Sequence, residues 1–262
     1  MAIMKTCVLA SGSEGNVTYV ETKKHKILLD LGTTVKYIKE SLSELSISLD
    51  DIDYVFITHL HNDHIKALKN FIKKYNPYIC ISPIMFAELP ELINYEKIIL
   101  YDNQVSIDDI KIDIIKTSHD TSDSRSFIIS DDKSSLVYLT DTGYINQKYF
   151  DVLSNKNMYL FESNHDIEML LKGPYPKWLK DRVMGPYGHL SNKDSSVYLA
   201  KLVGTNTKRI ILTHLSQKNN TEEKALEMIK ETFKEYEVDF DIKKITCAKQ
   251  DKRTELIKIW LK

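Results

Sequence analysis

Cysteine is scarce in this chain of 262 residues. Cys7, Cys80 and Cys247 are far apart and odd in number, which argues against a disulfide framework and suits a reducing compartment. Charge of one sign is also lacking. The 36 Lys and Arg against 37 Asp and Glu leave a formal net charge of −1. Any contact with nucleic acid therefore needs a local basic patch rather than a global field. Long hydrophobic runs are missing too. The longest are strand-sized, which excludes a membrane-spanning helix, and the apolar stretch 1–10 is too brief for a signal core. A cytoplasmic protein with no membrane association is expected. No low-complexity linker or charge block interrupts the chain, so one domain over residues 1–262 is expected. What is present is ordinary for a packed protein: 42% of residues are hydrophobic and 28% charged, enough apolar material for a sizeable core.

The periodicities divide into two similar halves. Strands are expected at 6–10, 17–21, 26–30, 53–57 and 78–81, with a Gly-rich turn at 11–16. Helical spacing covers 34–45, through Val35, Ile38, Leu42 and Leu45, and 65–74. Further strands are expected at 110–117, 126–130, 135–140, 158–162, 209–213, 242–247 and 254–260. Helices are expected at 191–203, with Ser191 as N-cap and Asp194 completing a capping-box variant, and at 221–236. Two β-sheets packed face to face, with helices on both outer faces, would bury this pattern: an α/β four-layer sandwich.

One segment dominates the chemistry. His59, His61, Asp63 and His64 fall within six residues directly after the apolar stretch 54–57. Neutral imidazoles and a carboxylate hold zinc, manganese or iron and leave positions open for water. His119, Asp141 and His214 each follow an expected strand, where the first cluster would need partners. Rigid strands can fix such ligands while loops supply the open face. His25 and His165 stand alone and read as ordinary hydrogen-bonded residues.

The His-x-His-x-Asp-His run, with His119, Asp141 and His214 in order behind it, resembles the metallo-β-lactamase superfamily of metal-dependent hydrolases. The resemblance covers essentially the whole chain and implies the αβ/βα sandwich. It also implies that His59, His61 and His119 hold one divalent ion, that Asp63, His64 and His214 hold a second, and that Asp141 bridges them. The segments 9–16, 162–166, 173–176 and 188–192 look like those of the YycJ/WalJ group within the superfamily. That closer resemblance implies a metal-dependent DNA exonuclease working 5′ to 3′, and a link to mismatch repair.

Two ions can clamp a phosphoryl oxygen and activate water for in-line displacement. Asp63 is the candidate partner of the attacking water. His189 is the candidate general acid, with Glu162 orienting it, a pairing similar to that of tRNase Z although Leu190 departs from that motif. Ser13, Asn16, Asn164 and Ser191 are candidate phosphate contacts, two of them in a Gly-rich turn and one before a helix N-terminus. The segment 172–182 interleaves Lys and Arg with Tyr175 and Trp178, a mixture that suits backbone contacts and base stacking on DNA or RNA. Hydrolysis of a small ester, thioester, lactone or phosphodiester metabolite is the competing expectation, since fold alone does not exclude it. None of the three cysteines occupies a ligand position as in many β-lactamases. The stretch from Asp141 to His214 is too short for the cap domain of large RNA-processing relatives, and there is no room for a flavin domain.

Overall fold

In a computed structural model, which describes residues 4–259, the strands form two seven-stranded sheets. The first contains β1 (Met4–Ala10), β2 (Val17–Glu21), β3 (Lys26–Leu29), β4 (Tyr54–Phe56), β5 (Tyr78–Ile81) and β6 (Ile98–Leu100). The second contains β7 (Gln104–Ile107), β8 (Ile110–Lys116), β9 (Arg125–Ser130), β10 (Ser135–Leu139), β11 (Met158–Glu162), β12 (Arg209–Thr213) and β13 (Ile245–Cys247). The last strand, β14 (Ile257–Ile259), returns to pair with β1. Each sheet is antiparallel on one side and parallel on the other: β3, β4, β5 and β6 run parallel, as do β10, β11, β12 and β13.

The helices are α1 (Val35–Ser43), α2 (Asn62–Ile65), α3 (Leu68–Ile72), α4 (Pro83–Ala87), α5 (Phe150–Leu153), α6 (Ile167–Lys172), α7 (Lys177–Met184), α8 (Asn192–Leu202) and α9 (Glu222–Glu235). Two-residue alternation along the strands sorts the second sheet between two cores. Ile112, Ile114, Leu136, Tyr138, Met158 and Leu160 join the first sheet, together with Ile38 and Leu42 of α1 and Leu68 and Phe71 of α3. Ile115, Val137, Leu139, Tyr159 and Phe161 pack with Leu199 of α8 and with Ile229 and Phe233 of α9. Each such apolar side chain contributes roughly 1.5–3 kcal/mol relative to exposure. This is the expected four-layer αβ/βα sandwich. Among the described residues no helix is long and apolar enough to cross a membrane.

Two departures from the sequence expectation have local causes. The helix expected over 65–74 is shortened to α3, and a separate turn of helix, α2, precedes it and ends at Ile65. The Leu31 amide takes the His64 carbonyl at 2.7 Å, and the Ala67 amide donates to the Leu31 carbonyl at 2.8 Å. Both groups leave the helical ladder, and the histidine loop is tied to the end of β3. The strand expected over 242–247 begins instead as a 3-10 turn, Ile242–Lys244, capped by the Asp241 side chain. Of the final expected strand, Trp260 lies outside the described residues. The short elements β6, β7, α4, α5, α6 and α7 have too little periodicity to be read from sequence.

The parallel strands bring their carboxyl ends to the same rim within each sheet: Leu29 pairs with Phe56, Leu139 with Phe161, and Glu162 with Thr213. Asp30, Asp141 and His214, just beyond β3, β10 and β12, all adopt the left-handed conformation, with φ of 62°, 52° and 56°. Non-glycine residues held there store strain of order 1–3 kcal/mol each and persist only where their surroundings demand it. Gly32 lets the loops close up, because a Cβ on it would overlap the Asp63 carbonyl.

Candidate metal centre

The rim is organised from the outside inward by hydrogen bonds that aim imidazole nitrogens at one another. The buried Asp30 carboxylate accepts from the Thr58 amide at 2.8 Å, from the Thr58 hydroxyl at 2.8 Å and from Tyr138 at 3.2 Å. It also takes His64 Nδ1 at 2.8 Å, which leaves Nε2 of that ring facing inward. The Thr58 hydroxyl has spent its proton on Asp30, so it accepts from His59 Nδ1 at 3.1 Å. His119 Nδ1 donates to the Gly188 carbonyl at 3.1 Å. His59, His64 and His119 thus each commit one nitrogen outward and turn the other in, the arrangement that fixes the tautomer of metal-ligating histidine.

The inward atoms form two groups. Those of His59, His61 and His119 lie within 4.8 Å of one another, as do those of Asp63, His64 and His214. Asp141 stands between them, 3.1 Å from His64 Nε2 and 3.9 Å from His119 Nε2. The donors show an unmet demand. Nε2 of His59 and Nε2 of His214, one in each group, are buried without a hydrogen-bond partner, and His61 Nδ1 faces His119 Nε2 at 3.3 Å. Unpaired buried polar groups are costly, and a cation in each group would satisfy them. The donor set of imidazole and carboxylate suits zinc, manganese or iron, so the residues fit two divalent ions.

Beside the two groups sits a buried couple. Glu162, at the end of β11, takes His189 Nδ1 at 2.7 Å and His214 Nδ1 at 3.3 Å on one oxygen. Its other oxygen accepts from the Thr142 amide at 2.9 Å and the Leu190 amide at 3.4 Å. Leu190 is itself fully buried in the outer core, so it serves the site through its backbone.

The Metallo-beta-lactamase superfamily model matches residues 11–214. The chain belongs to the metallo-beta-lactamase superfamily. It is similar to the exodeoxyribonuclease YycJ of Bacillus anthracis, 33% identical over 233 residues that cover 87% of this chain and 88% of that protein. It is also similar to the exodeoxyribonuclease WalJ of Streptococcus pneumoniae, 35% identical over 228 residues, 84% of this chain and 85% of that one. Among solved structures, the metallo-beta-lactamase fold protein YhfI from Bacillus subtilis superposes with a TM-score of 0.73 at 15% identity, covering 97% of this chain and 99% of that one. As a member of this superfamily with its buried His and Asp clusters, the chain is a metal-dependent hydrolase.

The four residues expected to touch phosphate separate into two pairs. Ser13 and Asn164 line a cleft of about 140 Å³ beside His119 and His189, together with Tyr175 and Arg182, although the Asn164 amide already donates to the His214 carbonyl at 2.9 Å. Ser191 and Asn16 are committed elsewhere. The Ser191 hydroxyl donates to the Asp194 carboxylate at 2.6 Å and accepts from the Asp194 amide at 3.1 Å; it is the N-cap of α8 and is buried. The Asn16 side chain closes the 12–16 turn through Gly12 and donates to Asp63 at 3.2 Å. A polar group already satisfied within the protein has little left for a ligand, so both belong to the frame of the site.

Sequence reading missed Asp30, Thr58 and Tyr138, the groups behind His64. It also missed Asp120, which Arg182 of α7 grips through Nε and Nη2. Asp120 in turn lies 3.4 Å from His119 Nε2, so the pair draws α7 against the site. The visible signal for Asp30 was a carboxylate ending an apolar strand, the same signal that marked Asp141.

Without a cation the carboxylates hold protons on the rings. Burial pulls the His214 imidazolium down, but Asp141, Asp63 and Glu162 outweigh it and lift it to about 10. His64 is likewise raised: burial opposes the charge and Asp30 with Asp141 overcomes it. Burial alone dominates at His59 and His119, whose values fall. A raised imidazole pKa contributes stability that is complete below its unfolded value near 6.5 and is lost as pH rises through the folded one. The chelator-treated protein is therefore expected to lose thermal stability between about pH 7 and pH 10, and metal uptake to release protons in that window. Calorimetry in buffers of different ionisation enthalpy measures the release; zero proton release at pH 7.5 would contradict it. Asp30→Asn should weaken affinity for one ion roughly 10- to 100-fold by chelator competition, and unchanged affinity would remove Asp30 from the metal's support.

Proposed function

We propose that the chain is a metal-dependent phosphodiesterase that removes nucleotides from DNA ends, working 5′ to 3′. The observation that carries this reading is the Glu162–His189 couple, placed beside the two ligand groups and facing a cleft that also holds Arg182, Ser13 and Asn164. An acid positioned on a ring nitrogen is what a poor alkoxide leaving group requires. The relatives named exodeoxyribonucleases add support for a DNA substrate, and the 5′-to-3′ polarity rests on the motifs shared with their group.

In this reading His59, His61 and His119 hold one ion, Asp63, His64 and His214 hold the other, and Asp141 is shared. Two such ions supply Lewis acidity at the phosphoryl oxygens and lower the pKa of water. The protein's own groups do the rest. Asp63 is partly open to solvent. Burial raises its pKa, but the neighbouring imidazoles of His214 at 3.8 Å and His64 at 3.5 Å hold it well below the usual carboxylate range. It therefore stays ionised and would orient the attacking water as an acceptor; that water's proton is lost to solvent, and the new P–O bond forms as the bond to the deoxyribose oxygen breaks. His189 donates from Nε2 to the departing deoxyribose oxygen. Glu162 holds Nδ1–H and stabilises the imidazolium; burial disfavours its charge, yet His189 keeps its pKa below the ordinary value. Arg182, anchored by Asp120 through Nε and Nη2, lines the cleft, where its remaining N–H donors suit a phosphate oxygen.

Hydrolysis of a small ester, thioester, lactone or phosphodiester would suit the 140 Å³ cleft, but it gives no use to a larger groove of about 370 Å³ that His119 also lines.

The test is a substrate panel with zinc and manganese compared: 5′- and 3′-labelled DNA, RNA, bis(p-nitrophenyl) phosphate and a lactam. DNA shortened from its 5′ end is the expected result, and cleavage of the lactam alone would overturn the reading. His189→Ala should lower the rate about 10²- to 10⁴-fold with metal content unchanged. Asp63→Ala should lose one metal equivalent and activity; full turnover by that variant would sink the ligand assignment.

A further inference from the structure

His119 lines two clefts. Besides the one it shares with His189 there is an open groove of about 370 Å³, also lined by His119. Its walls carry Lys116, Lys148, Tyr144, Tyr187, Thr121 and Ser122. Tyr144 is 45% exposed and Tyr187 63%, so both rings are open to a ligand. Lys148 lies over the Tyr149 ring at 4.8 Å, which holds its charge at the rim. Neither Lys116 nor Lys148 has a carboxylate partner among the described residues, and the acids nearby are neutralised. Asp123 is buried and bound to Arg125 at 3.0 Å, and Asp120 is gripped by Arg182.

The walls are strapped together. The Ser118 hydroxyl donates to the Pro186 carbonyl at 2.7 Å, the Ser118 amide to the Thr142 hydroxyl at 3.1 Å, and the Gly143 amide to the Ser118 carbonyl at 2.9 Å. Gly143 is needed there, since a Cβ on it would overlap the Pro186 carbonyl. The backbone that carries Tyr144 and Tyr187 is therefore fixed on both walls, with the two rings exposed at the surface.

We propose that this groove is the track for an unpaired DNA strand, which stacks its bases on Tyr144 and Tyr187, lays its phosphates against Lys116 and Lys148, and enters the metal centre past His119. The inference rests on the phosphodiesterase reading and adds to it that the enzyme engages single strands. Exposed ring faces stack on bases that lack a paired neighbour, and free lysines with hydroxyls around them suit a phosphate backbone. In a chain of net charge −1, the cations must act locally.

Strand binding is measured on the chelator-treated protein, where nothing is cleaved, by fluorescence anisotropy with a labelled ten-nucleotide oligothymidylate. The Tyr144→Ala/Tyr187→Ala double variant is expected to bind about tenfold more weakly or worse. Lys116→Gln/Lys148→Gln is expected to reduce the slope of log K against log salt by about 1.4. A blunt duplex should compete poorly. All four side chains are at the surface, and circular dichroism checks that the variants keep the fold. Wild-type affinity in the tyrosine variant, or a duplex that binds as tightly as the single strand, would overturn the groove. Failure of the activity reading looks different: metal-loaded wild type would shorten no DNA at all.

Discussion

Asp30 carries a carboxylate into a fully enclosed place between the two sheets, where the Thr58 amide and hydroxyl, His64 Nδ1 and Tyr138 all converge on it. A buried charge costs several kcal/mol unless such partners surround it. Its partners come from both sheets, with Tyr138 on β10 and the others on the loop after β4. The same contacts that make burial tolerable therefore fix the seam of the sandwich and the tautomer of His64. Losing the Asp30 carboxylate would remove the acceptor that fixes His64 Nδ1 and leave the Thr58 amide and Tyr138 without theirs. Glu162 has the corresponding place in the second half, where it holds His189 and His214 and takes two backbone amides. Two buried acids, one per half, thus aim the imidazoles.

The backbone accepts strain for this arrangement at three points only slightly apart in function. Asp30, Asp141 and His214 each turn with positive φ just beyond a strand. In an extended conformation these side chains would continue the alternation of their strands and point into one core or the other. The left-handed turn directs them along the rim instead. Strain stored at such positions is a feature of sites whose geometry matters more than local stability.

Much of the centre was legible in sequence because its signals are local. The run from His59 to His64 places four ligand-type side chains in six residues, and His119, Asp141 and His214 each follow a recognisable strand. The strands themselves were legible by alternation, which gave the layers. The rest depends on contacts between distant segments. Asp30 meets Tyr138 across 108 residues, and Arg182 meets Asp120 across 62; no spacing rule announces either. Helix α7 was read as part of a charged segment, since only its place against Asp120 reveals its purpose. Ser191 and Asn16 show how a residue type alone leaves out local partners. Their residue types suit phosphate, but a helix N-cap and a tight turn had claimed the same atoms. The Glu162–His189 pairing was expected from motif resemblance, and the additional bond from Glu162 to His214 was not.

The central claim is that two buried carboxylates orient imidazoles to create two separate ion sites. Anomalous diffraction from crystals grown with manganese or zinc tests it most directly. The account predicts two peaks: one within bonding distance of His59, His61 and His119, the other of Asp63, His64 and His214, with Asp141 between them. A single peak, or one bound by Glu162 and His189, would contradict it.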